Sequence, residues 1–211
     1  DAVLVDHRWL TTLPAREVRS GLCELVKNAL AIMPESTATL SRVARPDCRL
    51  SAEDLRSLVD IAIDAKLQVM GADPREKGRG LALEYGHTIG HAIELAAPGL
   101  LSHGEAVGVG MLCAAEIAAR SYALGPTDLE AHRRLLGSIG VSKELARGAD
   151  PARIHGLLRF DNKRGYVSPG ADELPMILLD GVGKVRWNGS TPLTPVAMRD
   201  VEQTLSSLPG A

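Results

Sequence analysis

The chain has 211 residues, 45% of them hydrophobic, which is enough to bury a core in one or two domains. A net charge of −2 and an aromatic content of 3% argue against the positive field and the stacking surfaces of nucleic-acid-binding proteins. The apolar segment at residues 103–124 contains Glu105, Glu116 and Arg120, so it predicts a buried core helix and not a membrane span.

The cysteines and the first residues bear on location and completeness. Cys23, Cys48 and Cys113 have no C-x-x-C spacing, so we expect reduced thiols. We find no signal-peptide pattern and expect a cytoplasmic protein. The sequence begins at Asp1 with the strand-like run AVLVD and not with Met, so we expect a piece of a longer protein.

The first predicted helix follows a turn at residues 10–14 and ends at Met33, before a proline. One side of this helix is an apolar stripe, and the other side carries Glu17, Ser20, Glu24, Lys27 and Asn28. Glu24 and Lys27 are three residues apart, which is compatible with a simple surface ion pair.

Two further helices are predicted before the middle of the chain. One covers residues 35–44. The next is opened by a capping box at Ser51 and Asp54 and runs to Met70, with Lys66 near its end. The charged run DPREKGRG then leads into a histidine-rich segment.

Three of the six histidines lie in the run LALEYGHTIGHAIELAAPGLLSHGEAVGVG. If residues 81–97 form one helix, Glu84, His87 and His91 share a face, because they are separated by three and four positions. Polar groups on one face of an otherwise apolar segment need partners when they are buried. A single buried histidine is usually a core residue, but this cluster favours a site for a metal ion or an anionic substrate.

His103 begins the next predicted helix, and the Pro98-Gly99 turn would bring it beside His87 in an αα-hairpin. A catalytic zinc or cobalt site takes about three protein ligands. One possible pair is His87 with His91, although the Glu of an H-E-x-x-H motif is missing. The other set is His87, His103 and Glu24 of the first helix, which leaves His91 for proton transfer or phosphate binding. Residue spacing alone does not choose between them.

The last third of the chain predicts shorter elements. A capping box opens a helix over residues 127–136, and Asp150 caps a helix over residues 151–158. The loop DNKRG at residues 161–165 is either a phosphate-binding loop or a plain surface turn.

A small β-hairpin is predicted near the end, between residues 175–180 and 184–187, and Thr194-Pro195 is predicted to cap a last helix. The chain is therefore mainly α. It contains neither G-x-G-x-x-G nor a P-loop, so it has no nucleotide site of those kinds.

Three separated motifs resemble the sugar phosphate cyclase superfamily, typified by 3-dehydroquinate synthase. They are SGLCELVKN, EYGHTIGHAIE and SHGEAVGVGM, and the resemblance extends from TLPARE to DNK, essentially the whole chain. It implies that residues 1–211 are the helical C-terminal metal- and substrate-binding domain of a two-domain enzyme. The N-terminal NAD-binding domain would then lie outside this sequence.

The resemblance also assigns roles to residues. It implies one divalent metal, Zn or Co, held by Glu24, His87 and His103. It places NAD contacts on Thr12, Leu13 and Glu17. The family's lysines, which bind the substrate, match Lys27, Lys66 and Lys163.

One departure from 3-dehydroquinate synthase concerns the substrate. Where that enzyme has an Arg and an Asn that help to bind a carboxylate, this sequence has Gly80 and Glu84. A Glu there would repel a substrate carboxylate by on the order of 1 kcal/mol or more, so we expect a substrate without one. Glu84, VKN after Glu24, and DNKRGY at residues 161–166 resemble the branch that cyclises glucose 6-phosphate on the route to 2-deoxystreptamine aminoglycosides.

For this branch the resemblance implies oxidation at C4 by NAD⁺, loss of phosphate from C6, reduction at C4 and an intramolecular aldol closure. Glu84 is then expected in acid–base catalysis, and His91 in phosphate contact or proton transfer. We expect a homodimer at full length and no turnover by residues 1–211 alone. The alternatives are 3-dehydroquinate synthase or another sugar phosphate cyclase and, in a different class, a non-catalytic helical metal-binding module.

Overall fold

The computed structural model describes residues 2–160, 165, 167 and 170–209, and this part of the chain is mainly helical, as expected. The helices are α1 (Ala15–Ala31), α2 (Thr37–Val43), α3 (Ala52–Met70), α4 (His87–Ala96), α5 (His103–Ser121), α6 (Pro126–Ser138), α7 (Pro151–Leu158) and α8 (Met198–Leu205). The strands are β1 (Glu173–Ile177), β2 (Leu179–Gly181), β3 (Lys184–Val185) and β4 (Leu193–Ala197). Short 3-10 turns lie at His7–Thr12, Pro34–Ser36, Arg79–Glu84 and Lys143–Ala146.

Helix α5 is the centre of the core. It is buried on nearly every side from Gly104 to Ala118 and packs against α1, α4 and α6. Glycines permit this close packing: a Cβ on Gly110 would lie 2.1 Å from the carbonyl oxygen of Gly86, and one on Gly104 would lie 2.1 Å from that of Ser20. Helix α5 therefore holds α1 and α4 close enough for their polar side chains to meet.

The single helix predicted over residues 81–97 is wrong. A 3-10 turn ends at Glu84, Gly86 has a left-handed φ of 80°, and α4 begins at His87. The break follows from packing, because a Cβ on Gly86 would lie 2.5 Å from Cγ of Met111 on α5. Only glycine combines this backbone conformation with this closeness. Glu84 is therefore outside the helix that carries the two histidines.

The predicted hairpin of residues 175–180 with 184–187 is right next to its turn and wrong farther from it. Strands β2 and β3 pair antiparallel around a glycine-containing turn, as expected. Strand β1 instead pairs with β4, with Pro175 opposite Pro195. Thr194 and Pro195 consequently lie inside a strand and do not cap a helix, and α8 begins only after Ala197.

Capping predictions succeed at α3 and fail at α6. The capping box of Ser51 and Asp54 is present at the start of α3. The box predicted at Thr127 and Glu130 is wrong, because α6 begins earlier, with Pro126 in its first turn. Proline is well suited to that position, where its missing N–H costs no hydrogen bond.

Several other expectations concern the surface and the thiols. Residues 3–5, predicted as a strand end, are exposed and outside regular structure. Cys23, Cys48 and Cys113 are buried and form no disulfide. No helix in the described ranges is long and apolar enough to cross a membrane. Lys163 and most of the run DNKRGY lie outside the described residues.

Candidate metal and substrate site

Three histidines meet where α4 and α5 begin. His87 and His91 lie one turn apart on α4, and His103 is the first residue of α5. Their ring centroids are 5.1, 5.4 and 5.5 Å apart, and one ring nitrogen of each lies within 4.8 Å of the others. The predicted αα-hairpin therefore does bring the histidines of both helices together.

Glu24 of α1 faces this cluster. Its Oε1 atom lies 3.8 Å from Nε2 of His87 and 4.0 Å from Nε2 of His103. This oxygen is buried, and within the described part of the chain no group donates a hydrogen bond to it. A buried carboxylate oxygen without a donor is unfavourable unless a cation or a ligand completes its environment.

Two of the imidazoles turn the same nitrogen toward this carboxylate. Nδ1 of His87 lies 3.2 Å from the carbonyl oxygen of Tyr85, and Nδ1 of His103 lies 3.0 Å from Oε2 of Glu94. Carbonyl and ionised carboxylate oxygens only accept hydrogen bonds, so each Nδ1 carries the proton. Each Nε2 therefore keeps the lone pair that a metal ion would need.

This set of donors fits a divalent metal. Zinc bonds to nitrogen and oxygen of about 2.1 Å place tetrahedral ligand atoms roughly 3.5 Å apart, slightly closer than the 3.8 and 4.0 Å seen between Glu24 and the two histidines. Small side-chain rotations would close that difference. His91 belongs to the same nitrogen cluster, so both ligand sets that the sequence allows are within reach.

Lys27 is a buried partner of Glu24, and its interpretation as part of a surface ion pair is wrong. Its side chain is 4% exposed and donates to Oε2 of Glu24. Burial raises the pKa of Glu24, but the charge and hydrogen bond of Lys27 outweigh it and leave that pKa below its usual value. Burial and then the charge of Lys27 lower the pKa of His87 to about 4, so this ring is neutral at pH 7.

A cavity of about 390 Å³ opens beside Glu24. Asn28 and Lys66 line it, together with Leu13 and Glu17 of the TLPARE motif, and the rest of its wall is largely apolar. The cavity therefore connects the carboxylate at the histidine cluster with two of the three residues that match the family's NAD contacts.

Two other predicted site residues lie near or beside this region. Thr12 is exposed, and its hydroxyl donates to the carbonyl oxygen of Trp9 at 2.8 Å, outside the cavity wall. Glu84 is half-buried. Burial lowers the pKa values of Lys27 and His87, and the negative charge of Glu84 acts in the opposite direction on both. Glu84 is therefore electrostatically close to both.

Glu105, whose carboxylate fixes the start of α5, was not among the predicted site residues. Glu105 accepts hydrogen bonds from the N–H and the hydroxyl of Ser102, which closes a capping box. Arg16 and Arg19 of α1 also donate to Glu105. These contacts hold the start of α5, and with it His103, against α1, the helix that carries Glu24. The S-x-x-E spacing in SHGE is the signal that could have predicted this role.

Comparison with known proteins identifies the class to which this fold and site belong. The 3-dehydroquinate synthase C-terminal family matches residues 21–164, and the chain belongs to that family. The chain is 46% identical over 209 residues to the 2-deoxy-scyllo-inosose synthase of Streptoalloteichus tenebrarius, covering 99% of this chain and 54% of that protein. It is 42% identical over 211 residues to the enzyme of the same name from Micromonospora echinospora, covering 99% and 52%. The chain thus spans about half the length of these relatives.

Solved structures agree with this grouping. A 2-deoxy-scyllo-inosose synthase complexed with carbaglucose-6-phosphate, NAD⁺ and Co²⁺ has a TM-score of 0.89 and 42% identity, over 95% of this chain and 55% of that chain. ValA, the 2-epi-5-epi-valiolone synthase of Streptomyces hygroscopicus subsp. jinggangensis with bound NAD⁺ and Zn²⁺, has a TM-score of 0.70 over 97% and 54%. At 23% identity, the second likeness concerns the fold alone.

Proposed function

We propose that this chain is the metal- and substrate-binding half of an NAD-dependent sugar phosphate cyclase that converts glucose 6-phosphate to 2-deoxy-scyllo-inosose and releases phosphate. The observation that carries the proposal is the convergence of Glu24 on His87 and His103, at 3.8 and 4.0 Å. The identity of 46% to a 2-deoxy-scyllo-inosose synthase supports the choice of substrate. The setting we propose is 2-deoxystreptamine aminoglycoside biosynthesis by a cytoplasmic homodimer.

Glu24, His87 and His103 would hold one divalent ion, Zn or Co. When bound, such an ion polarises the oxygens of the sugar and lowers the pKa of the alcohol that is oxidised. The chain's own residues prepare these ligands. Lys27 keeps Glu24 ionised, and the backbone carbonyl of Tyr85 keeps the proton of His87 on Nδ1.

The other predicted residues receive roles around the same sugar phosphate. Glu84 takes and returns a proton on the substrate. Burial lowers the pKa of Lys27, and the carboxylate of Glu84 lies close enough to act on that pKa in the opposite direction, so both groups would face the same bound substrate. His91 contacts the phosphate or moves its proton. The substrate is bound by the cationic side chains of Lys27, Lys66 and Lys163. NAD is contacted from this half by Thr12, Leu13 and Glu17.

The structure around Gly80 favours this substrate over the carboxylate substrate of 3-dehydroquinate synthase. Gly80 is buried and its N–H donates to Oδ2 of Asp73 at 2.9 Å. A Cβ on Gly80 would lie 3.0 Å from that oxygen and 3.1 Å from Cβ of Glu76. A side chain at this position would require Asp73 and Glu76 to shift by a few tenths of an ångström, and the glycine itself supplies no cation for a substrate carboxylate.

The experiment that tests the proposal assays the full-length enzyme with NAD⁺, a divalent metal and each of two substrates. Phosphate release is measured with glucose 6-phosphate and with the heptulosonate phosphate of the shikimate route, and the product is identified by mass spectrometry. We expect a carbocycle from glucose 6-phosphate and no turnover of the heptulosonate. Preference for the heptulosonate would favour 3-dehydroquinate synthase, and no turnover of any sugar phosphate would favour a non-catalytic metal-binding module.

A further inference from the structure

Glu94, in the last turn of α4, reaches across to the first residue of α5. Its Oε2 atom lies 3.0 Å from Nδ1 of His103. The opposite nitrogen of the same ring, Nε2, faces Oε1 of Glu24 at 4.0 Å. His103 therefore lies between two carboxylates that come from different helices, one on each side of its ring.

Only one of these two carboxylates can accept a hydrogen bond from the neutral His103 ring. A neutral imidazole has one N–H and one lone pair, and a carboxylate at hydrogen-bond distance takes the N–H. Glu94 is at that distance, whereas Glu24 is not. The proton of His103 is thus on the side of Glu94, and the lone pair is on the side of Glu24.

The two predicted histidine ligands obtain this orientation in different ways. His87 is buried, and a backbone carbonyl two residues earlier in the chain receives its Nδ1 proton. His103 is the first residue of a helix, its side chain is 45% exposed, and the acceptor for its Nδ1 is the side chain of Glu94. The orientation of the His103 ring therefore depends on the side chain of Glu94, which a substitution can remove.

We propose that Glu94 is a positioning residue that fixes the tautomer and ring orientation of His103 and thereby raises the affinity of the site for a divalent metal. The proposal rests on the metal site of the proposed function. A carboxylate behind a ligating histidine holds the ring in place and increases its basicity, and loss of such a partner typically costs about 10–100-fold in metal affinity.

The test is a titration of the metal-free, full-length protein with Co²⁺, followed by the visible absorption of the bound ion. For Glu94→Ala we expect the dissociation constant to rise about 10–100-fold. Glu94→Gln should bind more tightly than Glu94→Ala, because its amide oxygen still accepts the Nδ1 proton. Circular dichroism of each variant checks that the fold is retained.

A matched control is available on two other helices, α7 and α8. Glu202 of α8 contacts Nε2 of His155 at 3.1 Å, a pair of the same kind outside the predicted metal cluster. Glu202→Ala should leave the Co²⁺ dissociation constant unchanged.

Two results would overturn the inference about Glu94: a Glu94→Ala affinity within twofold of wild type, or a Glu94→Gln variant as weak as Glu94→Ala. Failure of the wild-type protein to bind Co²⁺ would instead refute the metal site itself.

Discussion

His91 and His103 each place a ring nitrogen in the same cluster, so either could be a metal ligand. Substituting one histidine at a time distinguishes the two possibilities. We predict that His103→Ala in the full-length protein loses its stoichiometric metal, because Nε2 of His103 faces Oε1 of Glu24 at 4.0 Å, as Nε2 of His87 does at 3.8 Å. His91→Ala should retain the metal. Both are measured by inductively coupled plasma mass spectrometry after dialysis. Metal retained in His103→Ala but lost in His91→Ala would favour the pair of histidines one turn apart on α4.

Glu84 is the residue to which we assign acid–base catalysis on the proposed substrate, glucose 6-phosphate. Glu84→Gln keeps the size of the side chain and one acceptor but removes the base. We predict that kcat for glucose 6-phosphate falls by about 10²–10⁴-fold, the usual range for a general acid–base group, while metal content stays unchanged. Steady-state assays of phosphate release would measure this. A near-wild-type rate would remove Glu84 from the catalytic residues even if glucose 6-phosphate is the substrate.

At the scale of elements, the contact between α4 and α5 determines the geometry of the histidine cluster. Gly110→Ala would place a Cβ 2.1 Å from the carbonyl oxygen of Gly86, so the helices must separate. We predict a loss of stability of about 1–3 kcal/mol or more, measured by urea denaturation. The control is Gly156→Ala in α7, where an added Cβ meets nothing within 4 Å.

In that control we expect stability to be unchanged or to rise by up to about 1 kcal/mol, since alanine favours a helix over glycine. Equal losses in both variants would show that the effect of Gly110→Ala does not come from the contact between α4 and α5.

Local patterns predicted the elements whose limits are set locally. The capping box of Ser51 and Asp54 gave the start of α3, and the apolar run after His103 gave α5 as a buried helix. The break at Gly86 could not be predicted in this way, because it depends on the approach of Met111 from α5. Strand β4 was missed for a related reason: its partner, β1, lies on the other side of the β2–β3 hairpin in sequence.

In the candidate site, too, the residues set by local spacing and motifs were predicted, and those that depend on contacts between helices were not. The positions of His87, His91 and His103 in one cluster followed from helix spacing and one turn, and the motifs supplied Glu24. The residues that support them were missed, because Glu94 and His103 are on different helices and their contact has no fixed spacing in sequence. The burial of Lys27 was missed because it depends on how α1 packs against helices that come later in the chain, above all α5.

At the scale of the whole molecule, the cavity beside Glu24 indicates how much of a cofactor this chain can hold. Leu13 and Glu17 line it, and they belong to a motif that the family uses for NAD. We predict that a protein of residues 1–211 alone binds NAD⁺ weakly or not at all, because in the proposed function these residues would supply only one wall of the cofactor site. Titration calorimetry beside the full-length enzyme measures this. A micromolar dissociation constant for residues 1–211 would contradict the division of the cofactor site between two halves.

The left-handed residue Gly86 has a consequence for how such enzymes can change substrates. It ends one segment and starts another, so the backbone direction at Glu84 is set by the 3-10 turn, whereas that at His87 is set by α4. A substitution at position 84 therefore leaves the helical register of the histidines untouched. Within residues 84–87, position 84 lies in the turn and can be substituted, whereas position 87 lies in the helix that orients the histidines. Engineered libraries aimed at new sugar phosphates can accordingly vary position 84 while keeping the buried positions 80–83 and helix α4 constant.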